Sequence, residues 1–232
     1  MSDSTAHNGT GRQLKAAIFD LGGVMTEPLF RGRRDIEPQY IELVAFFLND
    51  FRDHYHLPTG AHDLHLLEIG KISDAEFFDR MCRRYAEDGH EPIDPRAAQK
   101  VIFGRGMEAS SAMVDAVRQV KGGGYRTALL TNVSRDAEAM WRGLIPVDDL
   151  FDVVIDSSRV GLRKPDARIY QLACERLGVQ ADECLFIDDL ACNVEAAQAL
   201  GMETIQCLDP MVVADQVVQR LLGHTAAAEA EV

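Results

Sequence analysis

The chain has 232 residues, 47% apolar and 26% charged, with a formal net charge of −13. That length and composition suit a soluble globular protein with a sizeable core, one α/β domain plus an inserted subdomain, and exclude disorder throughout. So negative a surface repels nucleic acid and anionic membranes, whose binding depends on Lys and Arg, and no run of about 18 apolar residues offers a membrane span.

The polar N-terminus, MSDSTAHNGTGRQLK, has no apolar stretch of its own and reads as a disordered lead-in rather than a secretory signal. Five cysteines, Cys82, Cys174, Cys184, Cys192 and Cys207, are scattered without a CxxC pair. They read as reduced thiols of a cytoplasmic protein.

Ala16-Ala17-Ile18-Phe19 is an apolar run ending at Asp20, followed by Leu21 and then Gly22-Gly23. Such a run reads as a buried parallel strand that delivers its carboxylate to the carboxyl edge of a sheet, where open α/β folds bind ligands. The two glycines allow a sharp turn and close approach of the backbone to a ligand.

After Thr26-Glu27-Pro28 come Arg31, Arg33 and Arg34, a basic cluster read either as a solvated loop or as cations for a distal anion of the substrate. Pro38 opens an apolar helix through Phe51, at the first-turn position where its missing N–H costs nothing. His54, His56, His62 and His65 follow, interleaved with Asp53 and Asp63; their spacing does not ensure the convergence a transition metal needs, so they read as ordinary positions of a helical subdomain.

Ser73-Asp74-Ala75-Glu76 is a capping box that starts a helix running to about Tyr85. Asp94-Pro95 starts another, through about Phe103, and Gly104-Arg105-Gly106 reads as a hinge back to the sheet. Residues 28–105 are therefore expected to be a helical insertion between the first two strands, within a core domain of 14–27 and 106–222; 1–13 and 223–232 are expected to be disordered tails.

Beyond a helix from about Ala109 to Lys121, strands are expected at Tyr125–Leu130, Val153–Ile155, Cys184–Ile187 and Glu203–Ile205. Helices at 167–177, 193–200 and 212–222 alternate with them, and Met140 and Trp141 read as packing residues on a short helix. Strands alternating with helices at these lengths predict a parallel, doubly wound Rossmann-like sheet.

Four segments meet at its carboxyl edge on this reading: Asp20 with its glycines, Thr131-Asn132, Gly161-Leu162-Arg163-Lys164-Pro165-Asp166, and Asp188-Asp189 with Asn193 beyond. Together they supply a carboxylate nucleophile, a hydroxyl, a lysine and a carboxylate pair. Phosphoryl transfer needs an attacking oxygen, positive charge on the phosphoryl oxygens and a metal bridging anionic groups.

The order and spacing of these motifs resemble the haloacid-dehalogenase-like (HAD) hydrolase superfamily, in particular members with a small helical cap such as the N-terminal phosphatase domain of soluble epoxide hydrolases. The resemblance covers roughly residues 14–222. It implies Mg²⁺ as cofactor, a small phosphorylated metabolite as substrate and Asp20 as the nucleophile that forms an aspartyl phosphate. Asp20, the carbonyl of Gly22 and Asp189 would ligate the metal, with Asp188 orienting its neighbour or reaching the metal through water. Thr131, Asn132, Lys164 and the Gly22-Gly23 turn would hold the phosphoryl group, and Asn193 would fix the Asp189 loop.

One position departs from the family pattern. Its phosphatases usually carry a second aspartate two residues after the nucleophile, as general acid and base, and here that position is Gly22. Three consequences compete: a substrate with a good leaving group, a proton from Glu27, Thr26 or a cap residue, or a weak or inactive module that binds phosphorylated ligands. A dehalogenase is a further alternative, although family dehalogenases need no metal and tend to carry an aromatic residue at the Gly22 position. Oligomeric state is not readable from the sequence.

Overall fold

The computed structural model describes residues 13–28, 36–103 and 107–229. The arginines at 31, 33 and 34 and the 104–106 hinge lie outside the described residues. In chain order the elements are β1 (Ala16–Phe19), α1 (Ile41–His54), α2 (Asp63–Glu68), α3 (Asp74–Glu87), α4 (Pro95–Phe103), α5 (Ser111–Gly122), β2 (Arg126–Thr131), α6 (Glu138–Arg142), α7 (Val147–Leu150), β3 (Val153–Asp156), α8 (Ser157–Val160), α9 (Ala167–Leu177), β4 (Cys184–Asp188), α10 (Ala191–Ala199), β5 (Glu203–Gln206) and α11 (Pro210–Glu229).

All five strands run parallel in the order β3-β2-β1-β4-β5. Phe19 lies level with Leu129 of β2 and Ile187 of β4, so Asp20 leaves the sheet at its centre, where the strand order reverses. Crevices at that reversal are the ligand sites of doubly wound sheets. Alternation along the strands divides the core in two: Ala17, Phe19, Leu129, Leu185 and Ile187 pack against α5 and α11, whereas Ala16, Ile18, Ala128, Leu130 and Phe186 pack against α9.

Helices α1–α4 enclose a third apolar cluster, which includes Leu43, Phe47, Tyr55, Phe77, Phe78, Met81 and Ile102. The chain enters and leaves this insertion at one point: Ser110 N–H donates to Met25 O (2.9 Å) and Glu27 N–H to Glu108 O (2.8 Å). Both helix starts carry a side-chain cap, with Ser73 Oγ accepting from Glu76 N–H (3.2 Å) and Asp94 Oδ1 from Arg96 N–H (3.2 Å), while the Glu76 carboxylate of the expected capping box bonds Arg80. Element ends differ from the sequence reading by two residues or fewer, except that α1 starts at Ile41, after a 3-10 turn at Pro38–Tyr40, and ends three residues beyond Phe51 at His54, and that α11 continues to Glu229 into a segment read as tail. Its AAAE run is strong helix former. No described helix is long and apolar enough to cross a membrane.

Candidate active site

Asp20 emerges from β1 with its backbone N–H donating to Ile187 O of β4 (2.9 Å), which fixes where its carboxylate stands. Lys164 Nζ lies 2.7 Å from Asp20 Oδ1 and 2.6 Å from Asp188 Oδ2, and Lys164 and Asp188 are fully buried. Burial alone would favour the neutral amine, but Asp188 and Asp20 outweigh it and hold Nζ as an ammonium.

Asp189 completes the group. Asp20, Asp188 and Asp189 each place a carboxylate oxygen within 4.8 Å of the others. Three carboxylates thus face one ammonium. Burial pushes Asp20 up to about 8, with Lys164 opposing and Asp188 and Asp189 adding to the rise. Asp189 is pushed up to about 6, by burial and then by Asp188. The cluster is short of positive charge, and its ligand atoms are all hard oxygens. That donor set fits Mg²⁺ rather than zinc.

Gly22 and Gly23 lie in the turn Leu21–Met25 directly after Asp20, and Thr131 is the last residue of β2. All three line a cavity of about 790 Å³ that runs from Asp20 into the helical insertion. Its wall is mainly apolar, with Phe47, Phe51, Leu67 and Phe103 from the insertion and Met140 from the core. Met140, read from the sequence as packing, stands on this wall and is 39% exposed, while Trp141 is buried in the core.

One expected role changes with the geometry, and another gains its partners. Asn132 was expected to bind the phosphoryl group, but its amide is committed elsewhere: Nδ2 donates to Tyr55 Oη (2.8 Å) and Lys164 O (3.0 Å), and Oδ1 accepts from Lys164 N–H (2.9 Å). It positions the Lys164 backbone. Asp188, expected to orient its neighbour or to reach the metal through water, gives its oxygens to Lys164, to Leu190 N–H (2.9 Å) and to Asn193 Nδ2 (3.0 Å), and these bonds hold the turn that carries Asp189. Asn193 accordingly acts on Asp188 rather than directly on Asp189.

Sequence reasoning passed over a buried network behind the site. Arg163 is fully buried, with Nε 2.5 Å from Glu68 Oε2, Nη1 donating to Tyr55 O (3.0 Å) and its guanidinium over the Tyr55 ring. Ser157 Oγ donates to Glu68 O (2.6 Å). These contacts tie α2 and the end of α1 to the residue beside Lys164. Arg163 adjoins Lys164 in sequence, but nothing local marks Glu68 as its partner.

Two of the four histidines meet a carboxylate. Asp50, His54 and His62 converge, yet His62 Nδ1 accepts from Leu64 N–H (3.2 Å), which leaves the ring proton on Nε2, facing Asp50. Arg84 shares the same carboxylate (2.9 Å). The cluster is a carboxylate surrounded by donors. His65 is buried between two backbone carbonyls, and burial followed by Arg163 pushes it down to about 4.

Comparison with known proteins agrees with this geometry. The family model for haloacid dehalogenase-like hydrolases matches residues 14–201. The chain is 30% identical over 209 residues to bifunctional epoxide hydrolase 2 of Sus scrofa, covering 84% of this chain and 37% of that much longer protein. It is 28% identical over 205 residues to the sesquiterpene phosphatase astK of Aspergillus oryzae, covering 88% of this chain and 95% of the relative. Among solved structures, a HAD family enzyme from Bacteroides thetaiotaomicron in complex with magnesium and inorganic phosphate superposes with a TM-score of 0.58 at 22% identity, over 83% of this chain and 93% of that one.

Proposed function

The chain belongs to the haloacid dehalogenase-like hydrolases, and on that premise we propose that it is a Mg²⁺-dependent phosphatase acting through an aspartyl phosphate on Asp20. The observation that carries this reading is Lys164 Nζ set between Asp20 (2.7 Å) and Asp188 (2.6 Å), with Asp189 alongside, at the floor of the cavity. A charged lysine among carboxylates suits a phosphoryl group that must be bound and attacked at one place.

Asp20 and Asp189, with the carbonyl of Gly22, would hold Mg²⁺, and the bound ion supplies positive charge to the phosphoryl oxygens. Lys164 and the Thr131 hydroxyl take the remaining phosphoryl charge. An oxygen of Asp20 attacks phosphorus, the ester P–O bond breaks, and the departing alkoxide takes its proton from solvent water. Water then attacks phosphorus, releasing phosphate and restoring Asp20. Gly22 contributes no proton to the leaving oxygen, so the site favours esters whose alcohols leave readily or carry their own donor.

The helical insertion serves as the cap: it supplies most of the apolar wall and excludes water from the reacting centre. The expected small phosphorylated metabolite is thereby narrowed to a monoester with a mainly apolar organic part, in keeping with the activity named for the Aspergillus relative. A panel of alkyl, prenyl, aryl and sugar phosphates, assayed with and without Mg²⁺ on wild type and Asp20→Asn, tests the reading. Mg²⁺-dependent release of phosphate that is lost in Asp20→Asn supports it. No release from any ester favours the non-catalytic module, and halide release from 2-haloacids without metal favours the dehalogenase.

A further inference from the structure

A hydroxyl from the insertion joins two loops of the site. Tyr55 directly follows α1, is buried and lines the cavity. Its Oη accepts from Asn132 Nδ2 (2.8 Å), just after β2, and from Asn193 Nδ2 (3.3 Å), in the first turn of α10 after β4. Strands β2 and β4 flank β1, so this one phenol spans the loops on either side of Asp20.

The two asparagines hold Lys164 at opposite ends. Asn132 bonds its backbone N–H (2.9 Å) and its carbonyl (3.0 Å). Asn193 Nδ2 donates to Asp188 Oδ1 (3.0 Å), and Asp188 Oδ2 lies 2.6 Å from Lys164 Nζ. Asn193 is fully buried, and its two amide hydrogens meet two acceptors, Asp188 and Tyr55. Without the hydroxyl one of those hydrogens is buried unpaired, which favours rotation of the amide away from Asp188. Asn132 is better covered, since Glu68 Oε2 also lies 3.3 Å from its Nδ2. The Tyr55 ring has separate support: Phe51 packs on it at 4.7 Å between centroids, and the Arg163 guanidinium lies 4.5 Å from its centre. The work of the oxygen can therefore be separated from that of the ring.

Resting on the phosphatase reading of this site, we propose that Tyr55 is a positioning residue whose hydroxyl, through Asn193 and Asp188, aims the Lys164 ammonium at the charge developing on the phosphoryl group. It acts on neither the apolar cavity wall nor the residues assigned to Mg²⁺. Its removal therefore lowers kcat without raising KM.

Tyr55→Phe keeps the ring and removes only the oxygen. It is assayed at saturating Mg²⁺ with p-nitrophenyl phosphate, or with whichever ester of the panel wild type hydrolyses fastest. The kcat is expected to fall about tenfold or more while KM stays within about threefold of wild type. Asn193→Ala is expected to lower kcat as well, and adding Tyr55→Phe to it is expected to cost less than about twofold more, because the oxygen acts through that amide. A merely structural hydroxyl would shift the melting temperature without this split or this coupling. The proposal is overturned if Tyr55→Phe keeps the wild-type kcat, if KM rises in step with the loss, or if the two single losses multiply in the double variant. Unfolding of Tyr55→Phe would make the oxygen a folding contact and overturns it too. All four outcomes leave the phosphatase reading standing, whereas a wild type that hydrolyses no ester of the panel overturns that reading and the proposal with it.

Discussion

The carboxylate of Asp189 occupies the space that a side chain on Gly23 would fill: a Cβ there would lie 2.6 Å from Asp189 Oδ2. Gly23 also has φ +69°, a conformation costly for other residues. The glycine is therefore what allows Asp189 to approach the turn after Asp20. Gly23→Ala is expected to displace Asp189, weakening Mg²⁺ binding by about tenfold or more at modest cost to folding. Mg²⁺ titration of activity and a thermal melt check both halves.

Gly22, one residue earlier, behaves in the opposite way. A Cβ there meets nothing within 4 Å, and its φ of −69° and ψ of 126° are open to any residue. Gly22→Asp is expected to fold normally and to restore an acid for the leaving oxygen. A positioned acid is worth about 10²–10⁴-fold, so hydrolysis of alkyl phosphates should rise at least tenfold and that of aryl phosphates much less. Equal gains for both would place the limiting proton transfer elsewhere.

Glu68 and Arg163 form a buried pair between insertion and core. Removing one partner leaves the other charge unpaired, a loss of about 3–5 kcal/mol. Glu68→Gln is expected to approach that figure in denaturant unfolding, and to lower kcat because Arg163 adjoins Lys164. Replacing the pair by Glu68→Leu with Arg163→Met should recover most of the stability.

Without metal, the site should make stability fall as pH rises. Asp20 has an ordinary unfolded value of 3.8 and is pushed up to about 8 in the fold. Between these values the native state holds a proton that the unfolded chain releases, so each step upward in pH favours unfolding. His65, pushed down to about 4, acts oppositely, costing stability as pH falls below its unfolded value of 6.5. From pH 6.5 to 8, where the opposing effect of His65 fades and that of Asp20 exceeds it, the melting temperature of metal-free protein is expected to decline. Asp20→Asn should flatten the decline, and saturating Mg²⁺ should reduce it. An unchanged slope in Asp20→Asn contradicts the assignment.

The fold was legible because its signals are local. Ala16–Phe19, Leu129–Leu130 and Leu185–Ile187 are continuous apolar runs, as strands covered on both faces must be, and Ser73 and Asp94-Pro95 announce helix starts by their own chemistry. The residues meeting at Asp20 were legible because each ends a strand or opens a helix. What the sequence hides are partners: Glu68 and Arg163 are 95 residues apart, and Asn132 looks like a phosphate ligand until its amide is seen joining Tyr55 to Lys164. Met140 could not be told from core because its helix is too short for its exposed face to show as periodicity.

The most direct measurement is chemical trapping of the covalent intermediate. The enzyme with Mg²⁺ and a turned-over phosphate ester is quenched in acid during turnover, reduced with borohydride and digested, and the peptide carrying residue 20 is weighed. An acyl phosphate at Asp20 is reduced to homoserine with loss of phosphate, and that mass, dependent on both substrate and Mg²⁺, is the predicted result. Sustained turnover with residue 20 recovered only as aspartate, and the mass change found on another side chain, would contradict the account.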